Sequence, residues 1–179
     1  MQIGVCTDKG KVRENNQDYY YSSSSLELPL FIVADGMGGH KAGEVASKMA
    51  VNVIAEVMSR NNDNGYEEED ISNIIRKAIY EANDKILDKS LSSTDYNGMG
   101  TTVTMAYLTD DNIIIGHIGD SRAYIARGDK FIQLTEDHSL VAELVKNGSI
   151  SPEEALYHPQ KNIITRAVGT SGDIKADVI

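Results

Sequence analysis

Three aspartates with unusual neighbours carry most of the chemical information. The run Phe31 to His40, FIVADGMGGH, ends an apolar strand on Asp35 and follows it with Gly36, Gly38 and Gly39. A carboxylate at a strand tip, beside backbone free to approach a ligand closely, can hold one. An isolated Asp-Gly reads first as a turn, but the repeated glycines argue for more. Gly36 could add its backbone carbonyl, and hard oxygen donors suit Mg²⁺ or Mn²⁺ rather than zinc. Upstream, Arg13-Glu14-Asn15-Asn16-Gln17-Asp18 ends on a second carboxylate at the start of a strand. The fork of Arg13 suits a phosphate group, although a lone surface arginine is usually a solvated charge. A third carboxylate, Asp120, sits in Gly116-His117-Ile118-Gly119-Asp120-Ser121-Arg122 and alone would be a turn aspartate. Carboxylates that converge on one edge of a fold need a cation to offset their repulsion. A pair of divalent ions can activate a water for in-line attack on a phosphoryl group, so the residues suggest a two-metal phosphoesterase.

The elements that must position these residues are legible in outline. Gln2 to Thr7, Asp18 to Ser22 and Leu30 to Ala34 read as short strands bounded by Gly, Asn, Ser or charged residues. Two amphipathic helices follow, one carrying Ala46, Ala50, Val53, Ile54 and Val57, the other Ile71, Ile74, Ile75, Ala78, Ile79, Ala82 and Ile86. The polar break Asn61 to Gly65 between them is too short for an interdomain linker, and the acidic run Glu67 to Asp70 favours the positive end of its own helix.

From Gly100 the spacing tightens. Thr102 to Leu108, Asn112 to His117, Ala123 to Ala126 and Lys130 to Leu134 are joined by connections that only antiparallel neighbours can use. Asp137 to Lys146 reads as a short helix, and Ser151-Pro152-Glu153-Glu154 carries an N-cap, a first-turn proline and a capping-box Glu. Strands grouped apart from long helices predict an α+β layered sandwich. Ile174, Ala176 and Val178 alternate with Lys175 and Asp177 as in a half-exposed strand, so the expectation is a single domain over residues 1–179 that stops inside a strand.

Composition narrows the function classes. A net charge of -10 over 179 residues, without a Lys/Arg cluster, argues against a nucleic-acid or anionic-membrane surface. Cys6 is the only cysteine, which excludes an intrachain disulfide and a cysteine zinc cage. Met1 to Gly10 has no apolar signal core, and no apolar run is long enough to span a bilayer. The expected location is the cytoplasm.

Successive motifs turn this outline into a resemblance. Arg13 to Asp18, Asp35 to His40 with Gly43-Glu44 and Ala46-Ser47, and Gly98-Met99-Gly100-Thr101-Thr102 are followed by Gly119-Asp120-Ser121-Arg122, Leu134 to Ser139 and Thr165 to Gly169. In this order they resemble the PPM family, the type 2C metal-dependent serine/threonine phosphatases, in bacterial form. The resemblance implies an α-β-β-α sandwich of two antiparallel sheets flanked by helices, with two Mn²⁺ or Mg²⁺ ions at one end. It implies that Asp35 bridges the metals, Gly36 gives its carbonyl, Asp18 acts directly or through water, Arg13 holds the substrate phosphate and Asp120 helps bind a third, weaker metal. His40 becomes the candidate general acid for the leaving serine or threonine oxygen, a role suited to a near-neutral pKa; without the resemblance it would read as a loop histidine. The partners implied are phosphorylated proteins, with the enzyme opposing a serine/threonine kinase.

Other residues take the plainer reading. His117 reads as a packed sheet histidine, and His138 as a structural hydrogen-bonding group near a helix start. The Gly98 to Thr102 stretch lacks the lysine of a phosphate-binding loop and reads as close packing beneath the site.

The resemblance also predicts two further metal-binding aspartates, in a Ser-Asp-Gly-Leu segment and an Asp-Asn pair, and neither segment occurs here. Asp173 and Asp177 are not counted as substitutes. The expectation is therefore a C-terminally incomplete domain with weak metal binding and weak or no activity as this chain alone. The alternative to an active phosphatase is an inactive phosphatase-like module that binds phosphoproteins or exchanges strands in a swapped dimer.

Overall fold

The structure is a computed structural model, and it describes residues 1–23, 28–39, 42–61 and 68–179. The strands are β1 (Asp18–Ser22), β2 (Leu30–Met37), β3 (Gly100–Thr101), β4 (Val103–Leu108), β5 (Ile113–Ile118), β6 (Tyr124–Arg127), β7 (Lys130–Gln133) and β8 (Asp177–Val178). The helices are α1 (Ala42–Arg60), α2 (Glu68–Ser92), α3 (Leu140–Lys146) and α4 (Pro152–Tyr157). Strands β1-β2-β4-β5-β8 form one antiparallel sheet with β3 paired to β2, and β6-β7 form a separate hairpin. The chain is thus α+β, with antiparallel sheets and helices, as its spacing predicts.

Alternation along the strands decides which face is covered. In β2, Leu30, Ile32 and Ala34 are buried, and in β4 and β5 Val103, Met105, Ile114 and Ile118 join them. These meet the apolar stripes of α1 (Ala46, Ala50, Ile54, Val57) and α2 (Ile75, Ile79, Ala82, Ile86) in one core. Charge at the helix ends agrees with the helix dipole, Glu44 in the first turn of α1 and Arg60 in its last, Glu68 to Asp70 in the first turn of α2 and Lys89 in its last. Most of the Asn61 to Gly65 break lies outside the described residues.

The opposite face of the sheet carries the polar residues. Register places Tyr20, Val33, Thr104, His117 and Asp177 in one row across β1, β2, β4, β5 and β8. Asp18 and Asp35 form the corresponding pair at the end of β1 and β2. The capping box at Ser151 and Glu154 forms as expected, and Ser139 caps α3. One expectation fails, because Gln2 to Thr7 forms no strand and stays exposed. Among the described residues no strand pairs with it, and a ladder rather than a pattern makes a strand. At the C-terminus Asp177 and Val178 pair with β5, and Ile179 exchanges backbone hydrogen bonds with Ile115 at 2.8 and 2.9 Å. Among the described residues no helix is long and apolar enough to cross a membrane.

Candidate active site

Asp18 opens β1 and Asp35 lies near the end of β2, directly opposite in the antiparallel register. Same-face neighbours across such a pair sit within reach of each other, and Asp18 acts on the Asp35 carboxyl. A cavity of about 400 Å³ opens over them, lined also by Arg13, Asn16 and Gly36. Burial pushes the Asp35 carboxyl up to about 6, and the negative charges of Asp18 and Asp120 add to the rise, against a lowering by Arg13. Burial likewise raises Asp120, with Asp137 adding to the rise and its own backbone and Arg122 opposing it.

Backbone clamps fix Asp35. Its N–H donates to Thr102 Oγ1 at 3.0 Å, while its carbonyl accepts from Thr102 N–H at 2.9 Å and from Thr101 Oγ1 at 2.9 Å. Thr101 is anchored in turn by paired backbone bonds with Val168 at 3.0 and 2.9 Å. Gly36 must be glycine, since a Cβ there would lie 2.0 Å from the Gly43 carbonyl oxygen and 2.8 Å from that of Gln17. The start of α1 therefore presses directly against the strand tip, and Ser47 Oγ ties it down by donating to Gln17 O at 2.6 Å.

The third aspartate is held by a second set of bonds. Gly119 has φ of 118° and would place a Cβ 2.5 Å from Thr102, so the turn before Asp120 closes on the residue that clamps Asp35. Thr102 Oγ1 and Ser121 Oγ are hydrogen-bonded at 2.8 Å, and Thr104 Oγ1 donates to Ser121 O at 3.1 Å. Arg122 does not face the cavity over Asp35; its fork grips Asp137 through Nε and Nη2.

The comparisons with known proteins bear on this geometry. Residues 8–167 match the family Protein phosphatase 2C. The serine/threonine phosphatase stp of Listeria innocua is 42% identical over 178 residues, covering 99% of this chain and 70% of that protein. The chain belongs to the protein phosphatase 2C family. It is accordingly a serine/threonine phosphatase, and its α+β fold is shared with solved members. The S. agalactiae serine/threonine phosphatase superposes with a TM-score of 0.87 at 42% identity, over 97% of this chain and 71% of that one. The catalytic domain of the phosphatase PstP, solved in complex with two manganese ions, superposes at 0.81 with 33% identity, over 96% and 68% of the two chains. Relatives named as phosphatases favour catalysis over the interaction-module alternative.

Set against the residues expected for a phosphatase site, Arg13, Asp18, Asp35 and Gly36 come together on one cavity. Asp120 stands close enough for its charge to act on Asp35. Among the described residues no group of three His, Cys, Asp or Glu side chains gathers into one metal-holding cluster. The Asp18/Asp35 pair with Gly36 is nonetheless an all-oxygen set whose internal repulsion a hard divalent ion would relieve, and it fits that class of ion. His40 lies outside the described residues. Thr102 was expected only to pack closely beneath the site; that it and Ser121 join the two acidic loops by a hydroxyl hydrogen bond was not read from sequence. The available signal was a pair of hydroxyl residues, Thr101 and Thr102, following Gly100 at the head of an apolar strand.

Proposed function

We propose that this phosphatase hydrolyses phosphoserine and phosphothreonine in proteins with the help of divalent cations. The facing carboxylates of Asp18 and Asp35, beside Arg13 in a single cavity, support this most directly. In this reading Asp35, Asp18 and the Gly36 carbonyl would hold Mn²⁺ or Mg²⁺, and Asp120 would contribute to a weaker site. Such ions lower the pKa of a coordinated water and offset charge on phosphoryl oxygens.

The chain's own residues do the rest. Arg13 binds and orients the phosphate with its planar fork. Asp35, clamped by Thr101 and Thr102, keeps its carboxylate in place without reorganisation. Water attacks phosphorus in line with the ester oxygen, the P–O bond breaks, and the leaving serine or threonine oxygen takes its proton from His40. The substrates are phosphorylated proteins, and the enzyme opposes a serine/threonine kinase in the cytoplasm.

The test is hydrolysis of a phosphothreonine peptide by the full 179-residue chain with and without Mn²⁺, using Asp35→Ala as control. Mn²⁺-dependent turnover, slow and needing high Mn²⁺ because the chain supplies few carboxylates, and abolished in the control, is the expected result. Turnover that ignores Mn²⁺, or survives in Asp35→Ala, would overturn the assignment.

A further inference from the structure

A buried chain of side chains reaches the Asp120 turn from the far edge of the sheet. His138 is fully buried and grips Gly119 twice: its N–H donates to Gly119 O at 2.8 Å, and Gly119 N–H donates to His138 Nδ1 at 3.1 Å. A backbone N–H can only donate, so Nδ1 is the bare acceptor and the ring proton sits on Nε2. That proton points to Asp177 Oδ2 at 3.0 Å, on β8. The other oxygen, Asp177 Oδ1, accepts from Arg166 Nη1 at 3.3 Å, and the same guanidinium nitrogen also donates to Lys175 O at 3.2 Å. The His117 ring packs beside His138 with centroids 4.7 Å apart. His117 is itself held by Glu136 O at 3.0 Å and Thr104 Oγ1 at 2.9 Å.

Each partner in this chain has a single consistent role. A carboxylate accepts at both oxygens, which fits one ring N–H and one guanidinium. A buried imidazole whose tautomer is dictated from both sides is a rigid spacer, and residues that orient a metal-holding loop in this way control how well it binds. On the other flank the turn is already fixed by Thr102 and Thr104 through Ser121. Only the Gly119 flank depends on the far strand.

We propose that Arg166, Asp177 and His138 are positioning residues that set the Gly119–Asp120 turn, so that Asp177 on β8 governs how well Asp120 takes a divalent cation. The inference rests on the metal reading given above for Asp120. It agrees with the expectation that Asp177 is no substitute for the missing metal-binding aspartates, and gives it a different role: Asp177 acts through His138 rather than as a ligand.

The experiment follows the side-chain ¹³Cγ resonances of Asp35 and Asp120 in the full chain as Mg²⁺ alone is added. Asp177 lies at a sheet edge and keeps part of its surface exposed, so Asp177→Ala is expected to fold; Asp177→Asn retains an acceptor for the His138 ring N–H and serves as the conservative variant. Asp177→Ala should raise the Mg²⁺ concentration for half-response at Asp120 about tenfold or more, with less than about a twofold change at Asp35. Asp177→Asn should recover most of that shift. Equal midpoints at Asp120 in the native and Asp177→Ala chains would overturn the proposal, as would equal shifts at Asp35 and Asp120. Response at Asp35 but never at Asp120 in the native chain would overturn it alone, whereas no response at either would overturn the metal reading and this inference with it.

Discussion

Asp18 and Asp35 face each other across the first strand pair, carboxyl to carboxyl, with Arg13 as the cation on the same cavity. The pair is unfavourable without a counter-ion, and the strain falls on Asp35, whose carboxyl is raised from its ordinary 3.8 to about 6 by burial first and by Asp18 and Asp120 next.

A raised carboxyl means the folded chain binds more protons than the unfolded one between pH 3.8 and about 6. The Asp35 contribution to the stability of the metal-free chain should therefore fall as pH rises through that window and level off above it. Asp35→Asn removes the charge and should flatten this loss. Discounted for solvent screening on an open cavity, the gain at pH 7 is about 1 kcal/mol, or a few degrees in the thermal midpoint. Melting curves of both chains in chelator at pH 4 and pH 7 would check it; an unchanged pH slope in the variant would count against the raised carboxyl.

Gly36→Ala should be severely destabilising, because the new Cβ meets the Gly43 carbonyl at 2.0 Å and backbone cannot step aside cheaply. Overpacking of this kind costs roughly 1–3 kcal/mol or more. Gly39→Ala, where a Cβ meets nothing within 4 Å, should be close to neutral. Urea midpoints of the two variants give the comparison directly.

Thr102→Val keeps the shape but leaves the Asp35 N–H and the Ser121 hydroxyl without their partner. An unsatisfied buried group costs about 1–3 kcal/mol, and both acidic loops lose their shared brace. Thr102→Ser should retain most of the stability. Equal loss in the two variants would place the effect in the methyl group instead.

Asn83 is a buried amide on α2 that accepts from Gly169 N–H at 2.8 Å and donates to Ser171 O at 2.9 Å. Asn83→Leu should cost about 1–3 kcal/mol, since it strands the buried Gly169 N–H, whereas the carbonyl of exposed Ser171 can turn to water. Faster hydrogen exchange at Gly169 than at α2 amides would mark the loss as local to that loop.

Much of the frame was readable because it depends on periodicity. The apolar stripes of α1 and α2, the tight β4-β5 and β6-β7 connections and the Ser151 capping box follow from local spacing, and each forms. Gln2 to Thr7 shows the limit of that reasoning: alternation without a pairing partner gives no strand. Residues at the site were readable by type, since aspartates among glycines and an arginine before them already name phosphate and hard-cation chemistry.

By itself, then, the sequence determined the α+β class, the phosphatase family through its ordered motifs, and a candidate set, Arg13, Asp18, Asp35 and Gly36, that lines one cavity. Only the tertiary structure decided that Asp18 opposes Asp35 in register, that Thr102 and Ser121 join the two acidic loops, and that Asp177 reaches Gly119 through His138. The direct contacts behind those relations span 17 residues for the first, 19 for the second, and 39 and 19 for the two steps of the third. Local propensity acts over a few neighbours, whereas strand register and side-chain hydrogen bonds between distant segments exist only once the sheet has assembled.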